Sequence, residues 1–153
     1  MILALHTEIS RIDHVFQLAA GFSGEEELSH WARYLCVLTA GLIESAARLI
    51  FSEYARTHSS AETHRFVVGR LERVTNVNTE RLRELMGSFS PVWRDAFDRS
   101  TSHAQKDAVD SVLANRHNIV HGRSVGISLV RVKGYYDLTV QVVSWISNEV
   151  LGY

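Results

Sequence analysis

The chain lacks most of what would staple, anchor or electrostatically bias it. Among 153 residues there is one cysteine, Cys36, and one proline, Pro91. A lone cysteine closes no intramolecular disulfide and supplies no thiolate pair for a metal, so a reducing, cytoplasmic setting is expected. Basic and acidic side chains nearly cancel, 16 against 17, for a formal charge of -1. No global basic excess advertises nucleic acid, and any such binding must come from a local patch. Long apolar runs are missing too. His6, Glu8, Arg11 and Asp13 interrupt the apolar start before a signal-type core forms. Glu44 and Arg48 interrupt the stretch from Leu35 to Phe51, which falls short of the roughly 20 apolar residues of a membrane span. No membrane association is expected. There is no repeat, linker or low-complexity tract, no phosphate-binding glycine loop, no glycine-flanked serine nucleophile and no HExxH.

What is present is a 46% hydrophobic chain of a size that supports one continuous core, read as a single domain over 1–153. Helical patterns follow one another, most with a start signal. "TEISRIDHVFQLAAG" sets Ile9, Ile12, Val15, Phe16 and Ala19 on one side of a helix. Ser23 and Glu26 read as a capping box opening a long helix over 25–57. Two apolar stripes run along it, one through Leu35, Leu38 and Leu42 and the other through Ala32, Cys36, Thr39 and Ile43. A helix covered on more than one side is the expected centre of the fold. Ser59 with Glu62 and Ser102 with Gln105 read as two more capping boxes, Pro91 marks a further helix start, and a short helix holds Leu82, Leu85 and Met86. The tail is ambiguous. Val125, Ile127 and Leu129 alternate as a strand would, whereas Val132, Tyr136, Thr139, Val143, Ile146 and Val150 follow a three-four spacing. With no other strand to pair with, a lone hairpin is unfavourable, so helix is expected after Ser128.

The last turn of the helix over 103–121 is unusual. Val109, Val112, Leu113, Ile119 and Val120 mark its apolar face, and counting by four from Val112 gives Arg116, then Val120. An isolated guanidinium in a core costs several kcal/mol, so Arg116 must meet a carboxylate, a partner chain or an anionic ligand. Glu44 is the obvious structural partner, although an (i, i+4) pair with Arg48 would occupy it at a gain of only about 0.3–0.5 kcal/mol. His121 before Gly122 also fits an ordinary helix end, with a histidine at the negative pole and glycine in the left-handed cap. His117 and His121 lie one turn apart, but zinc needs a third protein ligand that no spacing supplies, so neither metal nor cofactor is expected.

Metal-free RNA cleavage needs a base for the 2'-hydroxyl, a cation on the phosphorane and an acid for the leaving oxygen. Histidine transfers protons near neutral pH, and an arginine fork holds phosphate oxygens while keeping its charge. Arg116 and His121 lie about 140° apart on an ideal helix and converge poorly within one chain. Two copies across a two-fold axis would set two arginines and two histidines around one cleft.

Arg116, four intervening residues and His121, with polar His117 directly after the arginine, resemble the R-x4-6-H signature of the HEPN superfamily. "GLIESAARLIFSEYA", "RLERVTNVNTERLRELMGSFSPVW", "ANRHNIVHGRSVGISL" and the later "YY" together resemble its RiboL-PSP group, over about residues 25 to 148. The resemblance implies an all-α HEPN-like bundle of about five to six helices that dimerises through the motif helices. It also implies a metal-independent endoribonuclease of toxin or phage-defence type, leaving 2',3'-cyclic phosphate. Its implied partners are RNA, a second copy of the chain and an antitoxin or other protein encoded beside it.

Carried over residue by residue, Arg116 would hold the scissile phosphate and His121 would transfer the proton. His117, Asn118 and Glu44 would support them, Glu44 by orienting the arginine. Arg123, Arg131, Lys133 and Tyr135 follow the motif, and basic residues beside aromatics suit single-stranded RNA. For Tyr136 the stripe favours a place in the core. The alternative to catalysis is a non-catalytic module that uses the same cleft for RNA, a nucleotide or a protein. A third reading makes Arg116 and Glu44 a purely structural lock.

Overall fold

The computed structural model describes residues 2–152, and all the regular structure among them is α-helical. Seven helices follow in order: α1 (Leu3–Ala19), α2 (Glu25–His58), α3 (Ala61–Leu71), α4 (Thr79–Phe89), α5 (Pro91–Ser100), α6 (His103–Val120) and α7 (Leu129–Leu151). The count exceeds the five to six that the resemblance implies, and it includes both the short helix through Leu82 and the separate one that Pro91 begins, as their start signals indicate. Ser90 takes an extended backbone at φ -154° and ψ 123°, ending α4, and Pro91 then begins α5.

As the two-stripe pattern predicts, α2 is central and packs against α1, α3, α6 and α7. It buries Ala32, Leu35, Cys36, Ala40, Leu42, Ile43, Ala46, Ala47, Ile50 and Phe51, residues on more than one side. By length and composition α2 is apolar enough to cross a membrane, a correction to the count made from its charged interruptions. In this fold 61% of that apolar window is buried within the bundle, which accounts for its composition as the core helix.

The tail is helical from Leu129, with the Ser128 hydroxyl accepting from the Arg131 amide. The spacing through Val132, Tyr136, Thr139, Val143, Ile146 and Val150 is its buried face. Tyr136 lies in the core, its hydroxyl 2.8 Å from Asp13 Oδ1 and 3.1 Å from the Ile9 carbonyl, which bolts α7 to α1.

Of the three expected capping boxes, only Ser102 with Gln105 forms as read, both reciprocal bonds being present. The helix after α2 starts one residue late, with Ser60 as its cap while Ser59 turns its hydroxyl back to the Ala55 carbonyl. Ser23 caps nothing. Gly24 is the residue whose carbonyl receives the first α2 bond, and three glutamates in the first turn complement the helix dipole.

Candidate functional site

The connection between α3 and α4 is drawn onto the bundle by α2. Glu44 and Arg48, one turn apart, each grip it separately instead of pairing with one another. Glu44 Oε1 accepts from the Asn76 backbone N–H at 2.8 Å, and Arg48 Nη1 donates to the Val74 carbonyl at 3.3 Å. Just after these holds Val77 is fully buried. On the far side, Thr79 donates its amide to Asp110 Oδ1 at 2.8 Å and its hydroxyl to the Lys106 carbonyl at 3.1 Å, tying the segment to α6. Asn76 pays for this path with a left-handed backbone, φ +53°, a region that asparagine enters more readily than other residues with a side chain.

That backbone aims the Asn76 side chain at Arg116. Arg116 Nη1 donates to Asn76 Oδ1 at 3.0 Å and lies 3.7 Å from Glu44 Oε1. Glu44 is nearly buried, whereas the Arg116 side chain is 32% exposed. The arginine is therefore not isolated in a core. The apolar face of α6 sinks through Ala108, Val109, Val112 and Leu113 and then emerges, so that Val120 is 63% exposed. One edge of the guanidinium is held, while Nε and Nη2 take no partner among the described residues. This arrangement has both the carboxylate expected of a structural lock and the open donors an anion needs.

The end of α6 is built by Gly122. At φ +68° it forms a left-handed cap, its N–H going to the Ile119 carbonyl and the Arg123 N–H to the Asn118 carbonyl at 2.9 Å. His121 is thereby the capping residue, its amide still bonded to the His117 carbonyl. The His117 and His121 rings meet edge to face with centroids 4.4 Å apart, and both residues are exposed. No third His, Cys, Asp or Glu joins them in a metal-sized group among the described residues.

Residues 115–118 divide around one turn. Arg116 faces Asn76 and Glu44, and His117 faces solvent. Asn115 and Asn118 line a cavity of about 300 Å³ with Ser124, Gly126, Arg131 and Tyr135. Arg123 reaches its edge, donating from Nη1 to Asn118 Oδ1 at 3.3 Å. Of the four residues expected to meet substrate, Arg123, Arg131 and Tyr135 are thus gathered together. Lys133 is on another face of α7, paired with Asp137 and lying over the Phe16 and Tyr136 rings at 5.7 and 5.6 Å.

Asn76 and Asn115 escaped the sequence reading. Asn115 has the motif for a neighbour, but nothing near Asn76 in sequence links it to an arginine 40 residues away. Searches of curated proteins and of solved structures found no match to the chain. A family model described as RiboL-PSP-HEPN matches residues 4–151, extending the resemblance over α1 and to the end of α7. The arginine and histidine at the end of α6 thus stand in a chain that belongs to the RiboL-PSP-HEPN family of the HEPN superfamily.

Proposed function

We propose that the protein is a metal-independent endoribonuclease whose cleft forms between two copies of the chain. Family membership supports a nuclease or RNA-related module, and the observation that carries the finer reading is the state of Arg116. Its guanidinium is steadied on one edge by Asn76 and Glu44 and open on the other, at the helix end that also carries two solvent-facing histidines. Those unused donors suit two phosphate oxygens, and pre-positioned donors stabilise a phosphorane best because they need no reorganisation as charge develops. Neither His117 nor His121 has a ring hydrogen bond to the protein among the described residues, which leaves both available for proton transfer.

A second copy supplies what the single helix lacks. Arg116 and His121 face different sides of α6, and Val120 stands exposed near them, an apolar contact suited to a seam between motif helices. In this reading Arg116 holds the scissile phosphate and His121 of the facing chain moves the proton. The 2'-oxygen attacks phosphorus, the 5'-oxygen leaves and a 2',3'-cyclic phosphate results. Toxin or defence activity, with a neutralising partner encoded nearby, is the cellular role that accompanies this chemistry. The test is digestion of cellular RNA in excess EDTA. Wild type gives discrete fragments with cyclic-phosphate ends, and His121→Ala and Arg116→Ala give none. Intact RNA from folded, dimeric wild type contradicts the proposal.

One observation favours a non-catalytic binding module instead. The polar cavity beside α6 contains arginine, amide and phenol groups but no histidine. On that reading the same substitutions alter RNA, nucleotide or protein binding and no product ever forms.

A further inference from the structure

The cavity between the end of α6, the 124–127 segment and the first turns of α7 is not used by the proton-transfer chemistry. No carboxylate lines it, and its one formal charge is Arg131, with the guanidinium of Arg123 at its edge. Arg131 lies 6.0 Å from the centroid of the Tyr135 ring, at the outer limit of a cation–π contact, and neither group has a carboxylate partner. The two amides are committed on opposite sides. Asn115 Nδ2 donates to the Ser111 carbonyl at 2.8 Å, leaving Oδ1 to accept. Asn118 Oδ1 accepts from Arg123 at 3.3 Å, leaving Nδ2 to donate. One open acceptor, one open donor, an aromatic ring and cations together match an unpaired base with its phosphate. A duplex does not match, because its base edges are already paired. The volume of about 300 Å³ is at the lower end for a small-ligand site, the scale of a single nucleotide.

We infer that this cavity is a subsite for one unpaired ribonucleotide, with the base stacked at Tyr135 and the phosphate held by Arg131 and Arg123. Its place beside the scissile bond rests on the ribonuclease reading. Asn115 and Asn118 share a helical turn with Arg116 and His117 but face another side of it, so a nucleotide seated here sets the path by which the neighbouring phosphodiester wraps around the helix to the motif. The subsite selects single-stranded RNA and biases which nucleotide flanks the cut.

The test is NMR titration of the full chain with each of the four ribonucleoside 5'-monophosphates and, separately, with inorganic phosphate. The nucleotides are expected to shift Tyr135 and bind more tightly than phosphate alone. Tyr135→Ala and Arg131→Gln should each weaken nucleotide binding by roughly tenfold, the scale of losing one stacked base or one phosphate contact. Tyr135 packs partly on the core, and Arg131 is exposed, so Arg131→Gln keeps the test decisive if the tyrosine variant fails to fold. Phosphate binding as tightly as the nucleotides overturns the subsite, as does unchanged affinity in a folded variant. Nucleotide binding as expected by a wild type that cuts no RNA removes the ribonuclease reading and leaves the subsite standing. RNA cleavage with no mononucleotide response does the reverse.

Discussion

Asn76 combines a positive φ with bonds to both members of an ion pair, and two substitutions separate these roles. Asn76→Ala keeps the strained backbone without the residue type that tolerates it, at a cost of about 1–2 kcal/mol in denaturant unfolding. Asn76→Gly relieves the backbone and still donates its N–H to Glu44, so its stability should stay near that of wild type. Both variants leave Arg116 without its side-chain acceptor. Cleavage should therefore fall in both, by about ten- to a hundredfold and mainly in kcat, because the guanidinium is misplaced while RNA still binds. A glycine variant with full activity would show that Asn76 serves the loop and not the arginine.

At the scale of the element, α6 ends where it does because of Gly122. A Cβ there would meet nothing within 4 Å, so the demand for glycine comes from φ and not from space. Gly122→Ala should cost about 1–2 kcal/mol and fray the turn that carries His121. Thermal unfolding measures the first effect, and a fall in cleavage at temperatures where the variant is fully folded measures the second. The helix and its motif were legible in sequence because capping and periodicity are local. Ser102 and Gln105 are three residues apart and form their box as read. Glu44, Asn76 and Arg116 lie 32 and 40 residues apart, and no local rule brings them together. Lys133 is a different case. Residues 131 and 133 differ by about 200° around a helix, so the helical tail already separates them, although as a run of sequence they look like one patch.

For the whole molecule, the core around α2 decides behaviour in alkali. Burial pushes the Cys36 thiol from 9.0 up to about 11, and burial together with the bond to Asp13 raises Tyr136 as well. Each group is favoured protonated in the folded state. Their contribution is complete below the unfolded values and is lost as pH rises, for Cys36 between about 9 and 11. Urea unfolding followed across that range should show falling stability, with a shallower fall in Cys36→Ala, whatever that variant loses in packing at neutral pH. Equal slopes would mean that the thiol does not titrate with unfolding.

The proposed site is completed only by a second copy of the chain. Arg116 and His121 face different sides of one helix, and Val120 beside them is 63% exposed although its spacing continues a buried stripe. The most direct measurement is subunit complementation. Arg116→Ala and His121→Ala chains carrying different tags are co-expressed, the mixed dimer is isolated through both tags, and RNA cleavage is assayed in EDTA beside each parent. Inert parents and a mixed dimer that cuts RNA to cyclic-phosphate ends are expected, because one intact arginine then faces one intact histidine across the proposed seam. A mixed dimer that forms and stays as inert as its parents would contradict completion of the site by a second copy.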